Sequence, residues 1–250
     1  METRRIISEI ENGNYDNLFL DIYVDEDKIS YQKQRYVNAI ESYIEEFGED
    51  DVEIYSAPGR SEVGGNHTDH QHGEILAASI NLDAIGIVKK TDDMKASILS
   101  KGYTLTTISL ENLDMQEEEK ETTIALIKGV VAGLANRGYK IGGFKAYITS
   151  DVLIGAGLSS SAAYETLIGN IVSGLYNNMS VSAEEIAIIG QFAENVYFGK
   201  PCGLMDQMAC SVGNMVHVDF ADINNPKVEK VTFDLNKYGY SLCITDTKGS

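Results

Sequence analysis

Residues Asp151–Ala163 read DVLIGAGLSSSAA, and this stretch decides how the rest of the chain is read. It lies between an apolar run, Phe144–Thr149, that reads as a strand and a longer one, Ser159–Tyr176, that reads as a helix. In that helix Ala163, Leu167, Ile168, Ile171, Val172 and Leu175 fall on its inner face. Gly155 and Gly157 let the backbone approach a ligand closely. Ser159, Ser160 and Ser161 offer hydroxyls, and Ala162 and Ala163 leave the helix start uncrowded. Unpaired N–H groups and the positive end of the helix dipole then point at one spot, which makes an anion cradle. No GK[ST] follows, so it is not a Walker A loop. A serine-rich cap with no ligand is the plainer reading of a bare GxG; GxGLSSSAA between strand and helix favours the cradle.

Outward from this loop the chain reads as α+β. Residues 1–50 form an acidic, helix-rich lead-in, with a helix over Gln34–Phe47 stopped by Gly48. A strand over Val52–Ser56 runs into Ala57-Pro58-Gly59, a turn signal. Further strands are expected at Ile75–Ile80, Ala84–Lys90, Lys95–Leu99 and Thr104–Leu110, broken by Asn81–Asp83, Thr91–Asp93 and Lys101–Gly102. A helix over Thr123–Asn136 ends at Gly138, and the capping box Ser182–Glu185 opens another that runs to about Phe198. Met215–Asp219, Val228–Phe233 and Tyr240–Thr245 read as strands. The last has no partner in sight, as in the first part of a longer protein. Runs of strands and runs of helices, rather than strict alternation, argue α+β.

Composition narrows the function. The formal net charge is −18 over 250 residues, which argues against a nucleic-acid or anionic-membrane surface. No apolar run is long enough for a membrane helix, and the N-terminus lacks the apolar core of a signal peptide. Cys202, Cys210 and Cys243 form no CxxC pair and fit a reducing cytoplasm. The acidic runs Glu41–Glu53 and Glu117–Glu121 read as solvated faces.

Two further constellations carry chemistry. Ala57–Gly73, APGRSEVGGNHTDHQHG, holds three of the four histidines together with Arg60 and Asp69. His67, His70 and His72 lack the helical spacing of a zinc site, and hydrogen bonding to a hydroxyl-rich ligand suits the stretch better. Gly199–Cys210, GKPCGLMDQMAC, contains Asp206, which reads as a helix cap or as a functional carboxylate. Cys202 has no histidine nearby and reads as an incidental thiol.

Taken in order, PGR…HTD, GLSSSAA and CGLMDQ resemble the galactokinases of the GHMP small-molecule kinase superfamily, over roughly residues 35–245. The resemblance implies an N-terminal domain of the ribosomal protein S5 domain 2-like two-layer sandwich type, over about 51–235, with 236–250 the start of a further region. It implies ATP-dependent phosphorylation of the galactose C1 hydroxyl, with Mg²⁺. Asp206 would accept or orient that hydroxyl's proton, and Arg60 would stabilise the transferring phosphoryl group. Gly155, Gly157, Leu158, Ser159, Ser160, Ser161 and Ala162 match the phosphate-binding positions. Ser161 and Glu194, twelve residues before Asp206, match the magnesium ligands. Arg60, Asn66, His67, Asp69, Gly203 and Asp206 match sugar contacts. The family signature, roughly GRxN[LIV]IG[DE]HxDY, is altered here to GRSEVGGNHTDH. Glu62, Gly64, Asn66 and His70 stand where Asn, Ile, an acid and Tyr are usual, so another sugar such as N-acetylgalactosamine is an alternative. A non-catalytic galactose sensor is a further one, opposed by the intact serine loop.

Overall fold

The computed structural model describes residues 1–243 apart from Ile154, Asn224 and Asp234. Three helices come first: α1 (Thr3–Glu11), α2 (Asp16–Tyr23) and α3 (Ile29–Phe47). Strands β1 (Glu53–Gly64), β2 (Glu74–Lys90), β3 (Lys95–Ser100) and β4 (Thr106–Ser109) follow, then α4 (Thr123–Asn136), β5 (Phe144–Ser150) and α5 (Ser160–Asn177). The chain continues with α6 (Ala183–Phe192), a π-helical turn (Ala193–Phe198), α7 (Met205–Val212), β6 (Met215–Asp219) and β7 (Lys227–Val231).

β2 is the spine of the sheet. β1 pairs with it antiparallel along its length; β5 pairs with its Ala84–Lys90 half and β6 with its Glu74–Ala78 half, also antiparallel. β3 joins β5 in parallel, and β4 and β7 pair outermost. Alternation along β2 divides the core in two. Ala84 and Val88 face a cluster with Val131, Leu134, Leu167 and Ile171 from α4 and α5. Ile85 and Ile87 face the opposite way, onto Ile10, Phe19, Tyr36, Ile40 and Tyr43 of the N-terminal helices. The expected sandwich is present in α4–α7 against the sheet, and α1–α3 cover its other face.

Local signals explain most boundaries. The Thr122 hydroxyl accepts from the Ala125 N–H at the start of α4, and Gly138 takes φ +83° just past its end. Ser182 accepts from the Glu185 N–H at 3.2 Å, completing the cap of α6. Three expectations are corrected. Ala57-Pro58-Gly59 does not end β1: the strand passes through it with a register shift between Pro58 and Arg60. Pro58 is tolerated because, among the described residues, β1 pairs on one side only, with β2. Asn81–Asp83 does not break β2, because their polar groups find partners on the N-terminal helices: Asn81 donates to the Tyr23 carbonyl at 3.2 Å, and Asp83 pairs with Arg35. Tyr240–Cys243 forms no strand; the Tyr240 N–H closes a turn onto the Leu235 carbonyl instead. Residues 244–245 of that stretch lie outside the described residues.

Candidate active site

The glycine-serine loop emerges from β5 and turns into α5. Gly155 and Gly157 take φ +76° and +71°, and Ser159 holds φ +57° at the cap position. The loop rests on a small apolar cluster of Val152, Leu158, Ala162, Ala163 and Cys210. Leu158 and Ala162 are therefore supports for the loop, and its polar face is left to Ser159, Ser160, Ser161 and backbone groups. The N-terminal end of the 18-residue α5 opens onto this face.

Arg60 ties the loop to Asp206. Its backbone N–H donates to the Leu158 carbonyl at 3.1 Å, and its Nη1 donates to the Gly157 carbonyl at 2.5 Å. Its Nε and Nη2 both reach Asp206 Oδ1, at 2.8 and 2.6 Å. The Ser159 hydroxyl donates to Asp206 Oδ2. The Arg60 side chain is 7% exposed but that of Asp206 is 33% exposed, so the pair is anchored inside and open at its acidic end. Asp206 is not a helix cap: it lies in the first turn of α7, where Leu204 occupies the cap position, and its carboxylate turns to Arg60 and Ser159.

Asp69 enters from the other side. It is buried, and its Oδ2 accepts from the Met205 N–H at 3.1 Å at the start of α7. His70 Nδ1 lies 3.3 Å from Oδ1. Gly203 packs so closely that an added Cβ would overlap the Asp69 carboxylate. Asn66 and His67 lie just before Asp69, in an exposed loop with φ near +60°. The His67 N–H donates to Glu62 Oε1 at 2.9 Å.

Glu194 sits on the π-helical turn with its carboxylate buried, and Ser161 Oγ donates to Oε1 at 3.3 Å. One hydroxyl and one carboxylate beside the loop are hard oxygen donors suited to Mg²⁺. The described residues contain no cluster of three or more His, Cys, Asp or Glu able to hold a metal. Lys200 Nζ, 3.3 Å from the same Oε1, occupies the carboxylate here.

Two residues escaped the sequence reading. Gln207 Nε2 donates to Glu194 Oε2 at 2.8 Å and to Glu165 Oε2 at 3.1 Å. Burial and the neighbouring Glu194 charge push Glu165 up to about 8, so it holds its proton at neutral pH. Their sequence signal, a Glu inside an apolar helix face and a Gln beside Asp206, is indistinct. Burial, helped by Glu194, also pushes the Cys202 thiol well up, which suits an inert thiol.

Known proteins resemble this chain in sequence and in fold. Residues 125–214 match the GHMP kinases N terminal domain, and residues 41–90 match the galactokinase galactose-binding signature. The galactokinase of Pyrococcus furiosus is 36% identical over 178 residues, 71% of this chain and 49% of the relative. That of Lactococcus lactis subsp. lactis is 32% identical over 209 residues, 82% of this chain and 52% of the relative. Among solved structures, Lactococcus lactis galactokinase complexed with galactose superposes with a TM-score of 0.69 at 29% identity, over 76% of this chain and 50% of that one. Methanococcus jannaschii mevalonate kinase, at 18% identity and a TM-score of 0.61 over 75% of this chain and 58% of its own, shares the fold. The chain spans about half the length of the curated relatives it matches. With the glycine-serine loop, the Arg60–Asp206 pair and both signatures in place, the chain carries a GHMP kinase N-terminal domain together with the galactokinase galactose-binding signature.

Proposed function

We propose that this chain carries the ATP- and sugar-binding unit of a kinase that phosphorylates the C1 hydroxyl of galactose. The observation that carries the reading is the Asp206 carboxylate: fixed by Arg60 and Ser159, it opens to solvent beside the start of α5. Asp206 is the group to orient the sugar hydroxyl and accept its proton. Arg60 is the cation beside the transferring phosphoryl group. The backbone of Gly155–Ser161 and the N-terminus of α5 are the seat for the ATP phosphates, a local positive field in a chain of net charge −18. Ser161 and Glu194 would hold Mg²⁺, which would supply positive charge against that of the phosphates.

On this reading residues 51–235 are the working unit, and the helices of residues 1–50 back its sheet. Asp69 and Gly203 face the sugar, with Asn66 and His67 on the loop above. The three free thiols suit a cytoplasmic setting. A second reading, N-acetylgalactosamine or another related sugar, draws on Asn66, which can donate a hydrogen bond where the family signature has an acid. A coupled ADP-release assay of the whole protein against a sugar panel tests both. Galactose as preferred acceptor is the expected result, and preference for the N-acetyl sugar selects the second reading. Turnover of mevalonate or homoserine with none of any sugar removes both.

A further inference from the structure

Behind the Ser161–Glu194 pair lies a buried polar cluster drawn from three elements. Glu165 on α5, Glu194 on the π-helical turn and Gln207 on α7 are 1%, 3% and 0% exposed. The Gln207 amide nitrogen donates to both carboxyl groups and also lies 3.7 Å from Cys202 Sγ. Glu165 Oε1 and Gln207 Oε1 are buried without a hydrogen-bond partner. Gly190 of α6 closes over the pair: an added Cβ would lie 3.0 Å from Glu165 Oε2 and 3.1 Å from Gln207 Cγ.

Burying two carboxyl groups and an amide with unsatisfied oxygens costs stability, and an apolar filling would pack as well. What the cluster does achieve is directional. With Oε2 tied behind by Gln207, Glu194 can present only Oε1 to the phosphate loop, where Ser161 and Lys200 meet it. Gln207 also follows Asp206 in the chain. Successive residues of one helical turn thus fix two carboxylates, Asp206 by its own contacts and Glu194 through the Gln207 amide.

We propose that Gln207, braced by Glu165, is a positioning residue that orients Glu194 toward the divalent cation. This rests on the reading of Ser161 and Glu194 as cation ligands. Outer hydrogen bonds of this kind typically set metal affinity by 10–100-fold.

The test is Mn²⁺ binding to the full chain in the presence of ADP, followed by electron paramagnetic resonance, with metal-free ADP affinity measured by calorimetry. Gln207→Met should weaken Mn²⁺ binding about tenfold while metal-free ADP affinity stays within about twofold. Should Gln207→Met fail to fold, the Glu165 pair decides. Glu165→Gln keeps an acceptor for the Gln207 amide and should hold Mn²⁺ within about threefold of wild type, whereas Glu165→Leu should lose about as much as Gln207→Met. Unchanged Mn²⁺ affinity in both Gln207→Met and Glu165→Leu overturns the proposal. So does an equal loss of metal-free ADP binding, which would mean that the cluster only supports the fold. If Glu194→Gln binds Mn²⁺ as tightly as wild type, the cation reading itself falls, and the positioning role with it.

Discussion

Two arginine–aspartate pairs stand on opposite faces of the sheet, each with a closest approach of 2.6 Å. They differ in everything else. Arg35 and Asp83 are 6% and 4% exposed, and Asp83 is saturated: Arg35, Tyr23 and Ser56 all donate to its carboxylate. A second arginine contact reaches Asp151 at 3.3 Å, at the foot of the glycine-serine loop. Arg60 and Asp206 form a pair of the same chemistry with one end left open. A closed pair has no bonding capacity for a ligand, so its effect falls on the fold. An open pair keeps a carboxylate surface free, so its effect falls on whatever binds there.

The largest effect should come from breaking the closed pair. Asp83→Asn leaves Arg35 buried beside a neutral group and should cost about 3–5 kcal/mol of unfolding free energy, read from urea melts. The fraction that remains folded should turn over normally. Asp206→Asn should do the reverse. Its kcat should fall at least about 10²-fold in the ADP-release assay. Its melting temperature should drop by less than half as much as that of Asp83→Asn, since water reaches the carboxylate. Near-full turnover in this variant would make Asp206 a structural partner of Arg60 and erase the contrast.

A third measurement separates the pairs from the carboxyl cluster behind Glu194. The folded pKa of Glu165, about 8, lies above its ordinary value of 4.5. Between those values the folded protein keeps a proton that the unfolded chain has released. Its contribution is therefore fully present below about pH 4.5 and is lost as pH rises toward 8, at up to about 1.4 kcal/mol per pH unit. Glu165→Gln has no such proton, so the difference between the two stability curves should carry this slope in metal-free buffer. Parallel curves would show that Glu165 is ionised throughout. The smallest effect belongs to Tyr31→Phe. It removes an exposed hydroxyl that donates to Asp151 at 3.2 Å, and should change stability by less than about 0.5 kcal/mol.

The open pair was partly readable from the sequence and the closed one was not. Arg60 sits in a dense polar stretch, where residue type suggests chemistry; Asp206 reads as a cap or a functional carboxylate, and only the resemblance of the ordered motifs gives it a role. Asp83 reads as part of a break between two strands, because polar residues in an apolar run look like one. Its partners Arg35 and Tyr23 lie 48 and 60 residues away in the chain, beyond any local pattern. The same distance hides the role of Gln207, whose contacts sit 13 and 42 residues back. Helix α4 and the cap of α6 followed their local signals because those devices are made by neighbours.

The π-helical turn at Ala193–Phe198 has a consequence for how this segment can change in length. A regular helix advances about 100° per residue, and here the ladder is wound one residue wider per bond. The backbone of Glu194 accepts from the N–H groups of both Gly199 and Lys200, which sets where the chain leaves for α7. Removing one residue within the turn would rotate the backbone that follows by about a quarter turn relative to Glu194. In a library of insertions and deletions the turn should behave as a ruler. Substitutions within it should be tolerated according to their packing, and length changes within it should be rejected, whereas the non-helical residues 199–204 should absorb them more readily.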